Sequence, residues 1–90
     1  AKDENGFVRQ VVAENPHTPV EILTQLANDE HWEVRNRVAH NPHTPVEILT
    51  QLAKKKKWKH WRVRAAVAQN PNTPPETRIQ LEKDKDVEVW

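Results

Sequence analysis

Serine, cysteine, tyrosine and methionine are absent from these 90 residues, and the single glycine is Gly6. Without cysteine there is neither a disulfide nor a thiolate metal site, so nothing demands an oxidising compartment and a cytoplasmic location is the expectation. A Ser or Cys nucleophile and a glycine-rich phosphate loop are excluded outright. No apolar run approaches the ~18 residues that a membrane-spanning helix needs, so membrane insertion is not expected. Neither sign of charge dominates: the net charge is +1, with 30% of residues charged and 36% hydrophobic. That balance removes the self-repulsion of a disordered chain, but it leaves little material for a core and predicts modest stability.

What the chain does contain is repetition. Asn-Pro-His-Thr-Pro-Val-Glu-Ile-Leu-Thr-Gln-Leu-Ala occupies residues 15–27 and again residues 41–53, identical at thirteen positions and offset by 26 residues. A degraded third copy starts at Asn70. A period in this range marks a supersecondary unit that cannot bury its apolar face alone and must stack on its neighbours. The units fall at 1–14 (partial), 15–40, 41–69 and 70–90 (partial), making one repeat array over residues 1–90. The array begins in the tail of one unit and breaks off within the first helix of another, which favours a piece of a longer or engineered repeat protein, or end-to-end self-association.

Each unit reads as two helices joined by the corner Asn-Pro-x-Thr-Pro. Pro16, Pro42 and Pro71 push the asparagine before them out of the helical region and stop the preceding helix. Thr18, Thr44 and Thr73 are then expected as N-caps, with Pro19, Pro45 and Pro74 as first helical residues. Glu21, Glu47 and Glu76 would complete capping boxes. In the helix that follows, Ile22, Leu23 and Leu26 recur as Ile48, Leu49 and Leu52, the spacing of one buried stripe. In the other helix of each unit Val8/Val12, Val34/Val38 and Val63/Val67 fall four apart on one face. Ala13, Ala39 and Ala68 beside them allow close approach between helices. An all-α solenoid of helix pairs follows, without β-strands.

The run Val-Arg-x-x-Val-Ala-x-Asn-Pro-x-Thr-Pro-x-Glu-x-Leu-x-x-Leu-Ala, read over residues 34–53, resembles the leucine-rich repeat variant family. Residues 8–27 match it as well, and residues 63–81 match through Pro74 and Glu76 but carry Thr77 and Arg78 where residues 34–53 have Ile48 and Leu49. The resemblance implies a right-handed superhelix of short helices in which one helix of each pair can be 3₁₀ rather than α. It also implies that some relatives carry an iron–sulfur cluster on an upstream cysteine group, a property that does not transfer to a chain with no cysteine. The family has no settled biochemical activity, so the resemblance speaks to the fold more than to function, and no cofactor is expected.

One departure from the period concentrates charge. Seven residues, 54–60, separate Ala53 from Trp61, where four separate Ala27 from Trp32. Between residues 48 and 75 lie seven basic residues and no acid, so this stretch carries +7 and the remainder −6. Lys54, Lys55, Lys56, Lys57, Trp58, Lys59, Arg62 and Arg64 form a candidate anionic-ligand patch. Lysines would neutralise phosphates and indoles would stack on bases at roughly 1–3 kcal/mol each, as in single-stranded nucleic-acid sites. A solvated face with no ligand explains the lysines equally, and Trp61, in the slot of Trp32, reads as a core anchor. Arg9, Arg35 and Arg64 recur beside the valines as a candidate arginine ladder, most simply paired with Asp or Glu of adjacent turns.

The five histidines do not suggest a metal centre. His17 and His43 are equivalent positions of successive units, as are His31 and His60, and stacked helices hold such positions about 8–10 Å apart. Two zinc ligands must each reach the ion at about 2.0–2.1 Å. Asp29, Glu30 and Glu33 near a helix start suit the macrodipole rather than acid catalysis. The sequence therefore predicts a non-enzymatic scaffold for a protein or peptide, with phosphate-backbone binding through residues 54–64 as the alternative.

Overall fold

A computed structural model describes residues 6–54 and 61–83. Six helices follow one another: α1 (Gly6–Glu14), α2 (Val20–Leu26), α3 (Trp32–His40), α4 (Val46–Lys54), α5 (Trp61–Gln69) and α6 (Pro75–Glu82). All six are α-helices, and no strand occurs among the described residues, so the 3₁₀ geometry allowed for alternate helices is not adopted there. The helices are arranged in two layers. In the first, α1 packs on α3 and α3 on α5; in the second, α2, α4 and α6 each lie against that layer. The result is an elongated body of 39 × 23 × 19 Å.

Small residues on the first-layer helices set this arrangement. Ala13, Ala39 and Ala68 are buried at equivalent positions of α1, α3 and α5, and a methyl side chain lets two backbones approach closely. The second layer supplies the larger apolar volume: Leu23, Leu49 and Leu52 are fully enclosed. Each contributes about 1.5–3 kcal/mol by leaving water.

The corners differ from the expected capping boxes. Helices α2 and α6 begin one residue later than predicted, with Pro19 and Pro74 in extended conformation at the N-cap and no side-chain cap at either. Proline at that position already fixes a suitable φ, and its carbonyl starts the helix by accepting from Ile22, Leu23 and, in α6, Arg78. The threonine hydroxyl points the other way. Thr44 Oγ1 donates to the Val38 carbonyl at 2.6 Å, and Thr18 and Thr73 donate likewise to Val12 and Val67. Each threonine thus closes the end of the helix before the corner instead of opening the one after it. The asparagine holds the turn between: Asn41 Oδ1 accepts from the His43 backbone N–H at 2.9 Å while Thr44 N–H donates to the Asn41 carbonyl at 3.1 Å.

A second departure concerns the valine stripe. Val34, Val38, Val63 and Val67 are buried as expected, whereas Val8 and Val12 are exposed. All three first-layer helices share the same valine spacing, but among the described residues only α3 and α5 have a first-layer helix before them.

Candidate functional site

The corner asparagines do more than hold their own turns. Asn41 Nδ2 donates to the Ala13 carbonyl at 2.8 Å and to the Asn15 carbonyl at 3.0 Å. One unit later, Asn70 Nδ2 repeats the pattern on Ala39 and Asn41, at 2.8 and 3.0 Å. The last carbonyls of an α-helix have no intrahelical partner, and here the proline that follows supplies no N–H. Each asparagine therefore caps the first-layer helix of the preceding unit, and the buried amides form a ladder along the array. Asn72 adds a third strut, donating to the Pro42 carbonyl at 2.6 Å. Sequence reasoning missed this ladder and read the asparagines only as helix stops. The available signal was that any residue can precede proline, yet asparagine does so at all three corners.

The arginines of the candidate ladder are drawn inward too. Arg9 Nε meets Asp29 Oδ2 at 2.6 Å, and Arg35 Nη1 donates to the Asp29 backbone carbonyl, also at 2.6 Å. Asp29 Oδ1 in turn accepts from the His31 backbone N–H. One aspartate thus ties two consecutive first-layer helices to the loop that leads into α3. Burial pushes the Arg35 guanidinium below its ordinary pKa, opposed by the nearby Asp29 and Glu33. Arg64 is buried at the equivalent position of α5.

Of the candidate anionic-ligand patch, Lys54 is exposed at the end of α4, while Lys55, Lys56, Lys57, Trp58 and Lys59 lie outside the described residues. Trp61 is not the core anchor expected from its slot. It is 40% exposed, whereas Trp32 is partly buried and packs against the core. The two indoles are linked by Arg62, whose guanidinium carbon sits 5.8 Å from the Trp32 ring centre and 5.2 Å from that of Trp61. At an exposed position such cation–π contacts stabilise by about 0.5–1 kcal/mol.

Two further features are mainly apolar, with Lys54 and Glu76 also lining the first. A groove of about 390 Å³ opens between α4 and α6, lined mainly by apolar atoms of Thr50, Ala53, Pro74, Thr77 and Leu81. Thr77, one of its lining residues, stands where the preceding unit has Ile48. Val20 and Val46, the first residues of α2 and α4, are exposed at equivalent positions of consecutive units. Among the described residues no group of three or more His, Asp or Glu side chains is placed to hold a metal ion, and no helix is long and apolar enough to cross a membrane.

Comparison with known proteins agrees with this geometry. The family model described as leucine rich repeat variant matches three times, at residues 6–31, 32–54 and 61–85, and passes over residues 55–60 within the extra-length segment. No curated protein and no solved structure matches the chain.

Proposed function

We propose that this chain, which belongs to the leucine rich repeat variant family, is a non-enzymatic scaffold whose second-layer surface binds a protein or peptide. The observation that carries this reading is the recurrence of exposed Val20 and Val46 one unit apart on second-layer helices, the second of which, α4, also lines the groove it forms with α6. A ligand with apolar side chains spaced to match would bury both valines and fill the groove. The polar groups capable of chemistry support the same reading, because Arg9, Arg35, Asn41, Asn70, Thr44 and Thr73 are engaged in holding the units together.

Peptides selected against the chain from a random display library test the proposal. Their binding should persist as salt is raised, since apolar burial is not screened, and Val46→Asp should weaken it at least about tenfold, the equivalent of about 1.4 kcal/mol. Binders that tolerate both Val20→Asp and Val46→Asp would remove this surface from consideration.

A second reading is favoured by one observation, the Arg62 guanidinium shared between Trp32 and Trp61 next to the lysine-rich segment. A phosphate backbone tracking the lysines, with a base stacked on Trp61, fits that arrangement. Fluorescence anisotropy with a single-stranded oligonucleotide decides it: affinity should fall steeply with salt, and Trp61→Ala should weaken binding at every ionic strength. An absence of binding at low ionic strength disposes of it.

A further inference from the structure

The groove between α4 and α6 departs from the repeat at two points. Of the eight residues that line it, six have the identical residue one unit earlier, so the remaining two account for what is new in its lining. Thr77 stands where the earlier unit has the buried Ile48, which removes apolar side chain. Lys54 stands where the earlier unit has Asn28, whose amide turns back to the Thr24 carbonyl at 3.1 Å. One change thus gives up volume and the other adds a charge, both at the same groove. The space left, about 390 Å³, is of the size that small ligands and anchoring side chains fill.

Lys54 is the last residue of α4, and Glu76 is the second of α6. Both are exposed, and among the described residues neither makes an ion pair. Glu47, the counterpart of Glu76 on α4, lies seven residues before Lys54. At 1.5 Å per residue this sets the two charges about 10 Å apart along the helices, and about 10 Å more separates neighbouring helices, so the diagonal is roughly 14 Å. Between them lie Ala53, Pro74 and Leu81, which offer no charge. The groove therefore has a positive corner, an apolar floor and a negative corner. An extended peptide covers about 13 Å in four residues, with alternate side chains on one side.

We propose that this groove binds an extended peptide segment in which an apolar residue is flanked, two positions away on either side, by one acidic and one basic residue. The acidic side chain meets Lys54, the basic one meets Glu76, and the apolar one enters the space beside Thr77. The inference rests on the reading of the second-layer surface as a peptide-binding face and adds the chemistry of the peptide. Burial of the apolar residue supplies most of the affinity, and the exposed charges set the preference among peptides.

Blocked pentapeptides Asp-Thr-Leu-Thr-Lys, Asp-Thr-Leu-Thr-Asp and Lys-Thr-Leu-Thr-Lys, titrated into the isotope-labelled whole chain, test this through the backbone amide shifts of Ala53, Thr77 and Leu81. Residues 48–75 carry +7, so general attraction favours the doubly acidic peptide, and preference for the mixed one requires Glu76. Wild type should bind the mixed peptide about threefold more tightly than the doubly acidic one, the scale of an exposed ion pair. Glu76→Lys should reverse that order, and Lys54→Glu should bring the doubly basic peptide ahead of the mixed one. Thr77→Ile, which restores the residue of the earlier unit, should weaken every peptide at least about threefold. Four results overturn the inference: no shift of these amides up to about 10 mM peptide, wild-type preference for the doubly acidic peptide, an order unchanged by Glu76→Lys, or indifference to Thr77→Ile. Library-selected peptides that depend on Val46 but ignore Lys54, Glu76 and Thr77 would sink this inference and leave the broader reading standing. Pentapeptide binding that follows the groove residues and tolerates Val20→Asp and Val46→Asp would support the groove and remove the valine row.

Discussion

Residues 15–27 and 41–53 have the same sequence and different surroundings. In the second copy Asn41, Thr44 and Ile48 are buried, whereas in the first Asn15 is exposed and Thr18 and Ile22 are only partly covered. Both copies make the same turn and the same helix, and in both the threonine hydroxyl reaches back to a valine carbonyl. What separates them is the surroundings: Asn41 reaches back to the end of α1 and to the first corner, and α4 packs against α3, α5 and α6, whereas α2 packs chiefly against α1 and α3. The corner is thus a local structure that forms in either setting, and stacking decides how much free energy each of its bonds contributes. A hydrogen bond open to water exchanges partners at little net cost, while a buried acceptor left without its donor loses about 1–3 kcal/mol of solvation.

The largest expected effect follows from removing the ladder amide. Asn41→Ala leaves the Ala13 and Asn15 carbonyls without their shared donor and should destabilise the chain by about 2–4 kcal/mol, whereas Asn15→Ala should cost under about 0.5 kcal/mol. Urea denaturation of the two variants measures the contrast, and equal costs would mean that the ladder contributes nothing.

The threonines give a smaller version of the same contrast. Thr44→Val keeps the shape and loses the bond to Val38, for about 1–2 kcal/mol, and Thr18→Val should cost less than half of that. Glu47→Ala belongs to the same experiment. Because the threonine closes the preceding helix, removing the glutamate should change stability by less than about 0.5 kcal/mol. A larger loss would restore the capping box.

Asn36 offers a gain of comparable size. Its Oδ1 is buried without a hydrogen-bond partner, and α5 has Ala65 at the equivalent position. Asn36→Ala should raise stability by about 1 kcal/mol, since it removes an unsatisfied group and improves helix propensity. An unfolding midpoint that falls would mean that the amide holds an ordered water.

The smallest effect is a dependence on pH. His40 immediately precedes the second corner, and burial, with Arg37 nearby, lowers its pKa below the usual imidazole value. The unfolded chain therefore binds this proton more readily than the folded one. The His40 contribution is fully present above about pH 6.5 and is lost as the pH falls below that value toward the depressed folded pKa. His40→Gln, which copies Gln69 of the next unit, should flatten the acid limb of the stability profile. Identical profiles would show that other groups set it.

Much of the fold was legible because its determinants are short-ranged. Proline sterics stop α1, α3 and α5 at their corners, and the Ile/Leu spacing identifies the buried stripe of α2 and α4. The direction of the threonine hydroxyl was not legible, since the motif Thr-Pro-x-Glu satisfies a capping-box pattern whichever way the hydroxyl turns. Nor was the surface position of Trp61, which shares its slot with the partly buried Trp32 and differs through Arg62 and the longer connection before it. Of the candidate site, the sequence singled out the arginines as a repeating set, and the structure adds the single aspartate on which Arg9 and Arg35 converge.

By itself the sequence determined that the chain is a stack of helix pairs, where the corners fall and which family it belongs to, because those properties depend on residues a few positions apart. Only the tertiary structure decided which copy of a repeated residue is buried, that the asparagines form a ladder, and that Arg78 bonds to the Ala68 and Asn70 carbonyls. Asn70 bonds to a carbonyl 31 residues away. Contacts of that span exist only once units are stacked in register, so burial differs between residues that are identical in the chain.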